Sequence, residues 1–160
     1  MFLGKVWKLG NDVDTDQIIP SQYLLLPTIE EMKQYTFEPL NKEFSSKIQV
    51  GDILVVGENF GAGSSREQAP RVLKALGIKA IVAKSFARIF FRNSINIGLP
   101  VIVCKEIYDF IEDGDIIEVD IEKGSVKNSH AEKIFNSTKL PKHIMKILGA
   151  NGLIEFLNKR

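Results

Sequence analysis

Two short apolar runs, Ile53-Leu54-Val55-Val56 and Ala80-Ile81-Val82-Ala83, constrain this chain more than any other feature of it. A strand with one face in water alternates apolar and polar residues, whereas a continuous apolar run marks a strand covered on both faces. Gly51 and Gly57 bound the first run. Between the two runs, Ala69, Val72, Leu73 and Leu76 recur at helical spacing and form one apolar stripe. Gly77 stands where a left-handed residue would end that helix. Strand, loop, helix and strand in this order predict two parallel strands joined by a right-handed crossover.

The flanks extend the unit. Phe86–Ile97 reads as a second helix stopped by Gly98-Leu99-Pro100, and Val101–Cys104 as a third buried strand. Upstream, Gly4–Leu9 is expected to be a strand, Asn11–Asp16 a polar turn-rich loop, Gln17–Pro20 an apolar run stopped by proline, and Glu30–Tyr35 a short helix between Pro27 and Pro39. Downstream, Gly114-Asp115 turns into Ile116–Ile121, where charged residues begin to alternate, and Lys123-Gly124 makes a hairpin turn towards Val126. Residues 141–160 read as helix in two pieces, broken near Gly149–Gly152. The expected fold is α/β with a mixed sheet, parallel in the middle and antiparallel late. It forms one domain over 1–160, with 141–160 a helical C-terminal extension.

Bulk properties narrow the function classes. Lysine and arginine number 21 against 20 aspartates and glutamates, a formal net charge of +1, which gives no footprint for nucleic acid or an anionic membrane. No apolar run approaches the ~20 residues that span a bilayer, and the first residues lack the pattern of a signal peptide. The expected location is the cytoplasm. The single cysteine, Cys104, lies in an apolar run and reads as a small core residue. Alone it can hold neither zinc nor an iron–sulfur cluster, which take about four ligands. His130 and His143 stand far from each other and from the glycine-rich loop, which argues against a histidine-based site.

The chemistry concentrates in Gly61-Ala62-Gly63-Ser64-Ser65-Arg66-Glu67-Gln68, which follows a buried strand and is expected to open the helix. Glycines allow left-handed angles and close approach to a ligand. Unpaired N–H groups at a helix start attract anions. Arg66 adds a planar fork suited to a carboxylate, and Ser64 and Ser65 add hydroxyls. Taken alone, the serines read as helix caps, since Ser64 or Ser65 with Glu67 or Gln68 makes a capping box. Gly57, Gly61 and Gly63 in the same loop, with two serines and an arginine, favour an anion site. The Gly-Lys-Ser/Thr ending of a phosphate loop, the Gly-x-Gly-x-x-Gly dinucleotide spacing and the Gly-x-Ser-x-Gly elbow are all absent. The residues by themselves reach no further than a carboxylate-binding helix start with a usable serine.

The segment Glu58–Pro70 resembles the signature of the small subunit of 3-isopropylmalate dehydratase, which corresponds to the swivelling domain of aconitases. Asn11–Pro20 and Lys84–Pro100, with its Ser-Phe-Ala-Arg-Ile-Phe-Phe-Arg-Asn run, resemble the same family in the same order. The likeness covers nearly the whole chain. Gln68 departs from it, since many relatives have histidine there.

The resemblance implies a swivelling β/β/α domain with a mixed central sheet and flanking helices. It implies a larger partner subunit carrying a [4Fe–4S] cluster, in a heterodimer or higher heteromer, and no cofactor or metal in this chain. The implied reaction is removal and re-addition of water on a malate-like diacid, with cluster iron acting on the leaving hydroxyl. By position, Ser64 corresponds to the catalytic base, Arg66 to a ligand of a substrate carboxylate and Ser65 to its neighbour on that carboxylate. Asp16 matches an acid that tunes the serine or orients the loop; its alternative reading is a turn residue. Arg88 and Arg92, four residues apart on one helix face, read as structural or interface salt bridges rather than substrate contacts.

Family specificity is expected in the loop after Tyr23, where homoaconitase-like members carry an arginine. Here Leu24, Leu25 and Leu26 offer no cation, so Leu25 and Leu26 are the expected contacts of an isopropyl group. A lone carboxylate buried there would cost several kcal/mol. The alternatives are that these leucines pack the core or an interface, that the chain serves a homoaconitase or related alkylmalate hydro-lyase, and that it is a stand-alone carboxylate-binding module.

Overall fold

A computed structural model describes residues 1–131 and 133–159. Residue 160, the end of the expected helical tail, lies outside them. Among the described residues seven strands form one sheet: β1 (Phe2–Lys8), β2 (Ile53–Val56), β3 (Ala80–Ala83), β4 (Val101–Val103), β5 (Ile116–Asp120), β6 (Ser125–Asn128) and β7 (Ile134–Asn136). The helices are α1 (Thr15–Ile18), α2 (Ile29–Met32), α3 (Phe44–Lys47), α4 (Gln68–Leu76), α5 (Arg88–Asn96), α6 (Lys142–Gly149) and α7 (Leu153–Asn158). Short 3-10 turns lie at Ser21–Leu25, Lys33–Tyr35 and Glu106–Phe110.

The strand order is β4-β3-β2-β1-β5-β6-β7. β1 to β4 run parallel, and β5, β6 and β7 follow from β1 as an antiparallel meander. The expected split between a parallel and an antiparallel half is therefore present, and β1 joins the halves. Its residues 6–8 pair with β2 and its residues 2–5 with β5.

Alternation of side chains sorts the apolar residues into two cores. Ile53, Val55, Ala80, Val82 and Ile102 face Ile117, Val119, Val126 and Phe135, so the antiparallel half curls over one face of the parallel half. Leu54, Val56, Ile81, Ala83 and Val101 point the other way, into a core shared with Val72 and Leu73 of α4 and Phe90 and Ile95 of α5. These are the β/β/α layers that the resemblance implies, and they explain why both central strands are apolar at every position.

Helix α4 ends as expected, with Gly77 at φ 99° and its N–H bonded to the Leu73 and Lys74 carbonyls. The tail forms α6 and α7, and Ile144, Ile147 and Leu148 of α6 pack against the helical core. Lys74 fastens the junction through its ammonium group, which donates to the Ile97 carbonyl and to Asn151 Oδ1. Cys104 is buried, as expected, and its thiol donates weakly to the Asn136 carbonyl at 3.5 Å.

Candidate active site

Residues 57–67 connect β2 to α4, and the backbone ties them to two other segments. On one side Gly61 N donates to the Val13 carbonyl at 2.8 Å, and Thr15 N to the Ala62 carbonyl at 2.9 Å. Thr15 Oγ1 donates to the Ser64 carbonyl at 2.9 Å. On the other side Phe60 N donates to the Ser85 carbonyl at 3.1 Å, Ala87 N to the Phe60 carbonyl at 2.9 Å, and Asn59 N to Ser85 Oγ at 2.8 Å. The three segments singled out in the sequence thus meet along one seam.

Packing fixes the seam. The buried Phe60 ring lies 5.1 Å from that of Phe90 and 6.4 Å from that of Phe86. Gly61, at φ 84°, passes so close to Phe90 that a Cβ would sit 2.2 Å from its Cγ. Only glycine fits that angle and that gap.

The structure corrects the expected helix start. α4 begins at Gln68 behind Glu67, no side chain caps it, and the capping box at Ser64 or Ser65 does not form. The bonds from Thr15 and the left-handed angles of Gly61 and Gly63 hold the loop out of helical conformation past the serines. The helix turns only at Gln68, with Pro70 in its first turn, where a missing N–H leaves no bond unmade. The capping box lies instead at Asp14 and Gln17, at the head of α1: Asp14 Oδ1 accepts from Gln17 N at 2.8 Å, and Asp14 N donates to Gln17 Oε1 at 3.1 Å. The Asp-x-x-Gln spacing carries that signal across the boundary between the expected loop at 11–16 and the apolar run at 17–20.

Ser64 and Ser65 are exposed, and among the described residues their hydroxyls make no hydrogen bond. No protein acceptor among the described residues takes the backbone N–H groups of Gly63, Ser64 and Ser65. Arg66 is held: its Nη1 donates to the Ile19 carbonyl at 2.9 Å and lies 3.2 Å from Asp16 Oδ1. The Arg66 side chain is 17% exposed against 63% for Asp16. Asp16 thus pairs with the guanidinium, and among the described residues it makes no hydrogen bond to Ser64.

Ser64, Ser65, Arg66 and Thr15 line a cleft of roughly 480 Å³ whose far wall is α5, with Arg88, Arg92 and Asn93. Among the described residues three guanidinium groups and no carboxylate line it. The salt bridges expected of Arg88 and Arg92 are not internal, since neither pairs with an acid among the described residues. Neither arginine's place at the loop is visible in the sequence, because the crossover that brings α5 beside it is a property of the tertiary fold. Thr15 carries no signal beyond its place in the first of the three segments.

Leu25 and Leu26 are not part of this cleft. Leu25 ends the 3-10 turn and is 89% exposed, while Leu26 is half-buried against the helical core together with Tyr23 and Leu24. Tyr23 anchors the turn by stacking on Tyr35 at 3.9 Å and donating to Glu38 Oε1 at 2.5 Å. The bond to Glu38 pushes its phenol pKa up. His130 and His143 are exposed. Among the described residues no three His, Cys, Asp or Glu side chains gather as metal ligands. Cys104 is buried just beyond β4 and outside the cleft, so this chain's residues do not fit an iron–sulfur cluster.

Fold and loop together define an aconitase-type domain: residues 11–106 match the Aconitase C-terminal domain family. Over 158 residues the chain is 52% identical to the 3-isopropylmalate dehydratase small subunit of Lachnospira eligens, covering 99% of this chain and 94% of that one. It is 48% identical over 157 residues to the isopropylmalate/citramalate isomerase small subunit of Methanocaldococcus jannaschii, covering 98% and 94%. The crystal structure of 3-isopropylmalate dehydratase from Methanocaldococcus jannaschii superposes with a TM-score of 0.94 at 43% identity, over 99% of this chain and 94% of that one. The chain belongs to the family of 3-isopropylmalate dehydratase small subunits.

Proposed function

We propose that this chain is the small subunit of a cytoplasmic hydro-lyase that interconverts 2-isopropylmalate and 3-isopropylmalate by dehydration and rehydration in leucine biosynthesis. It acts only with a large subunit, in a heterodimer or higher heteromer, and we assign a [4Fe–4S] cluster to that subunit. The observation that carries this reading is the convergence of three family-like segments on one cation-lined cleft with an exposed serine at its mouth.

Ser64 is the base. Its alkoxide takes the proton from the carbon next to a substrate carboxylate, the hydroxyl leaves the neighbouring carbon, and a C=C bond forms. Returning water with the two positions exchanged gives the isomer. A serine hydroxyl is ordinarily far too weak an acid to be ionised for this. The free N–H groups of Gly63–Ser65 and the guanidinium of Arg66 favour the alkoxide and the charge developing on the substrate. Arg66 binds the carboxylate with the part of its fork that Asp16 and Ile19 leave free, and Ser65 adds a hydrogen bond to the same group. Asp16 acts through Arg66, as a positioning residue.

We assign the isopropyl contact to Leu25, which lies outside the cleft lining and which the 3-10 turn presents outward, while Leu26 seats the turn on the core. A methyl-bearing malate would satisfy the same contact less completely, and the name of the Methanocaldococcus relative pairs the two substrates. The test is co-expression with a cluster-bearing large subunit and an anaerobic hydration assay on isopropylmaleate, methylmaleate and cis-homoaconitate. Isopropylmaleate should give the highest kcat/KM. Preference for cis-homoaconitate would overturn the substrate, and inactivity on all three would overturn the enzyme reading.

A further inference from the structure

Arg88 and Arg92 lie one turn apart on α5, both exposed, and neither has an acidic partner among the described residues. Like charges at this spacing repel and destabilise a helix by a few tenths of a kcal/mol. Carboxylates from outside the chain would offset that repulsion. A small diacid is one source and a protein surface is another, and the shape of α5 separates them.

The two arginines line the cleft at Ser64 and also a second cleft of roughly 410 Å³ on the other side of α5, formed with Phe86, Phe91 and Val103. They are therefore the ridge between the clefts. No residue of the 61–66 loop reaches the second cleft. A ligand the size of a malate fits within one cleft and meets one side of the ridge. A polypeptide that closes the first cleft crosses the ridge and meets the second, where two phenylalanines offer an apolar seat. Ile89, half exposed, adds an apolar side chain on the first cleft's side of the ridge.

We propose that this face of α5 is where the large subunit docks. An acidic segment of that subunit pairs with Arg88 and Arg92, and an apolar side chain enters the Phe86–Phe91 cleft. The proposal rests on the subunit reading above and adds to it the surface and the chemistry of the partner.

The test is the dissociation constant of the purified pair, with its salt dependence, for wild type, Arg92→Ala and Arg92→Glu, alongside the melting temperature of each small subunit alone and the KM of each complex. Buried interface arginines commonly dominate binding, so Arg92→Ala should weaken association on the order of 10-fold and Arg92→Glu on the order of 100-fold. Wild-type affinity should fall as salt rises, and more steeply than that of either variant. Melting should be unchanged because the position is exposed. Unaltered affinity in both variants overturns the proposal. Unaltered affinity with a raised KM also overturns it and makes Arg92 a substrate ligand. A wild-type chain that forms no complex at all overturns the subunit reading itself, and this proposal with it.

Discussion

Arg66 and Asp16, fifty positions apart in the chain, meet at 3.2 Å through Nη1 and Oδ1, and the same nitrogen donates to the Ile19 carbonyl. One arm of the fork is thereby fixed to the first segment, and the rest remains for a carboxylate.

The consequence for Asp16 is kinetic more than thermodynamic. An ion pair with one exposed partner contributes at most about 1 kcal/mol. Asp16→Asn should therefore leave the melting temperature nearly unchanged, raise KM several-fold and leave the pH profile of kcat in place. A displaced profile would mean that Asp16 acts on the serine directly. Arg66→Lys, which keeps the charge and loses the fork, should raise KM by roughly 10-fold or more with a smaller effect on kcat.

Gly61→Ala tests the seam. The added methyl meets the Phe90 ring at 2.2 Å, at a φ of 84°. Overpacking costs about 1–3 kcal/mol and a left-handed non-glycine about 1–2 more. Denaturant unfolding should show a loss of roughly 2–5 kcal/mol. A change under 1 kcal/mol would show that the loop is not clamped between Val13 and Phe90.

The fold was legible where burial dictates sequence. The runs at 53–56 and 80–83 are apolar at every position because one face meets the antiparallel half and the other meets α4 and α5. What the chain did not announce were pieces held by contacts distant in sequence. The three-residue β7 has only Phe135 buried, too short a pattern to read. Phe37 takes a left-handed φ of 60° while fully buried, which no local propensity suggests. At the site, glycines, serines and Arg66 could be read as a group because they are contiguous. The helix start was misplaced because Thr15, about fifty residues upstream, holds the serines out of the helix.

Leu25 carries the specificity prediction. It is 89% exposed, so Leu25→Arg should change stability by no more than about 0.5 kcal/mol. In the assembled enzyme it should raise KM for isopropylmaleate and improve kcat/KM for cis-homoaconitate, whose extra carboxylate the new cation would meet. Unchanged kinetics on both would remove Leu25 from the substrate's surroundings.

Burial holds the Cys104 thiol pKa above its ordinary value. The native state therefore keeps its proton where the unfolded chain loses it. This contribution to stability is complete below the ordinary thiol range and declines as pH rises through it. As the chain has one cysteine, thiol labelling in native buffer should follow the opening of the structure, with rates that rise with denaturant. Labelling as fast as a free thiol would contradict the burial.

The most direct test of the account is Ser64→Ala in the assembled enzyme, with turnover, complex formation and binding of a diacid inhibitor measured together. Removing a general base should lower kcat by about 10²–10⁴-fold while both affinities stay near wild type. Turnover within a few-fold of wild type would show that another group takes the proton.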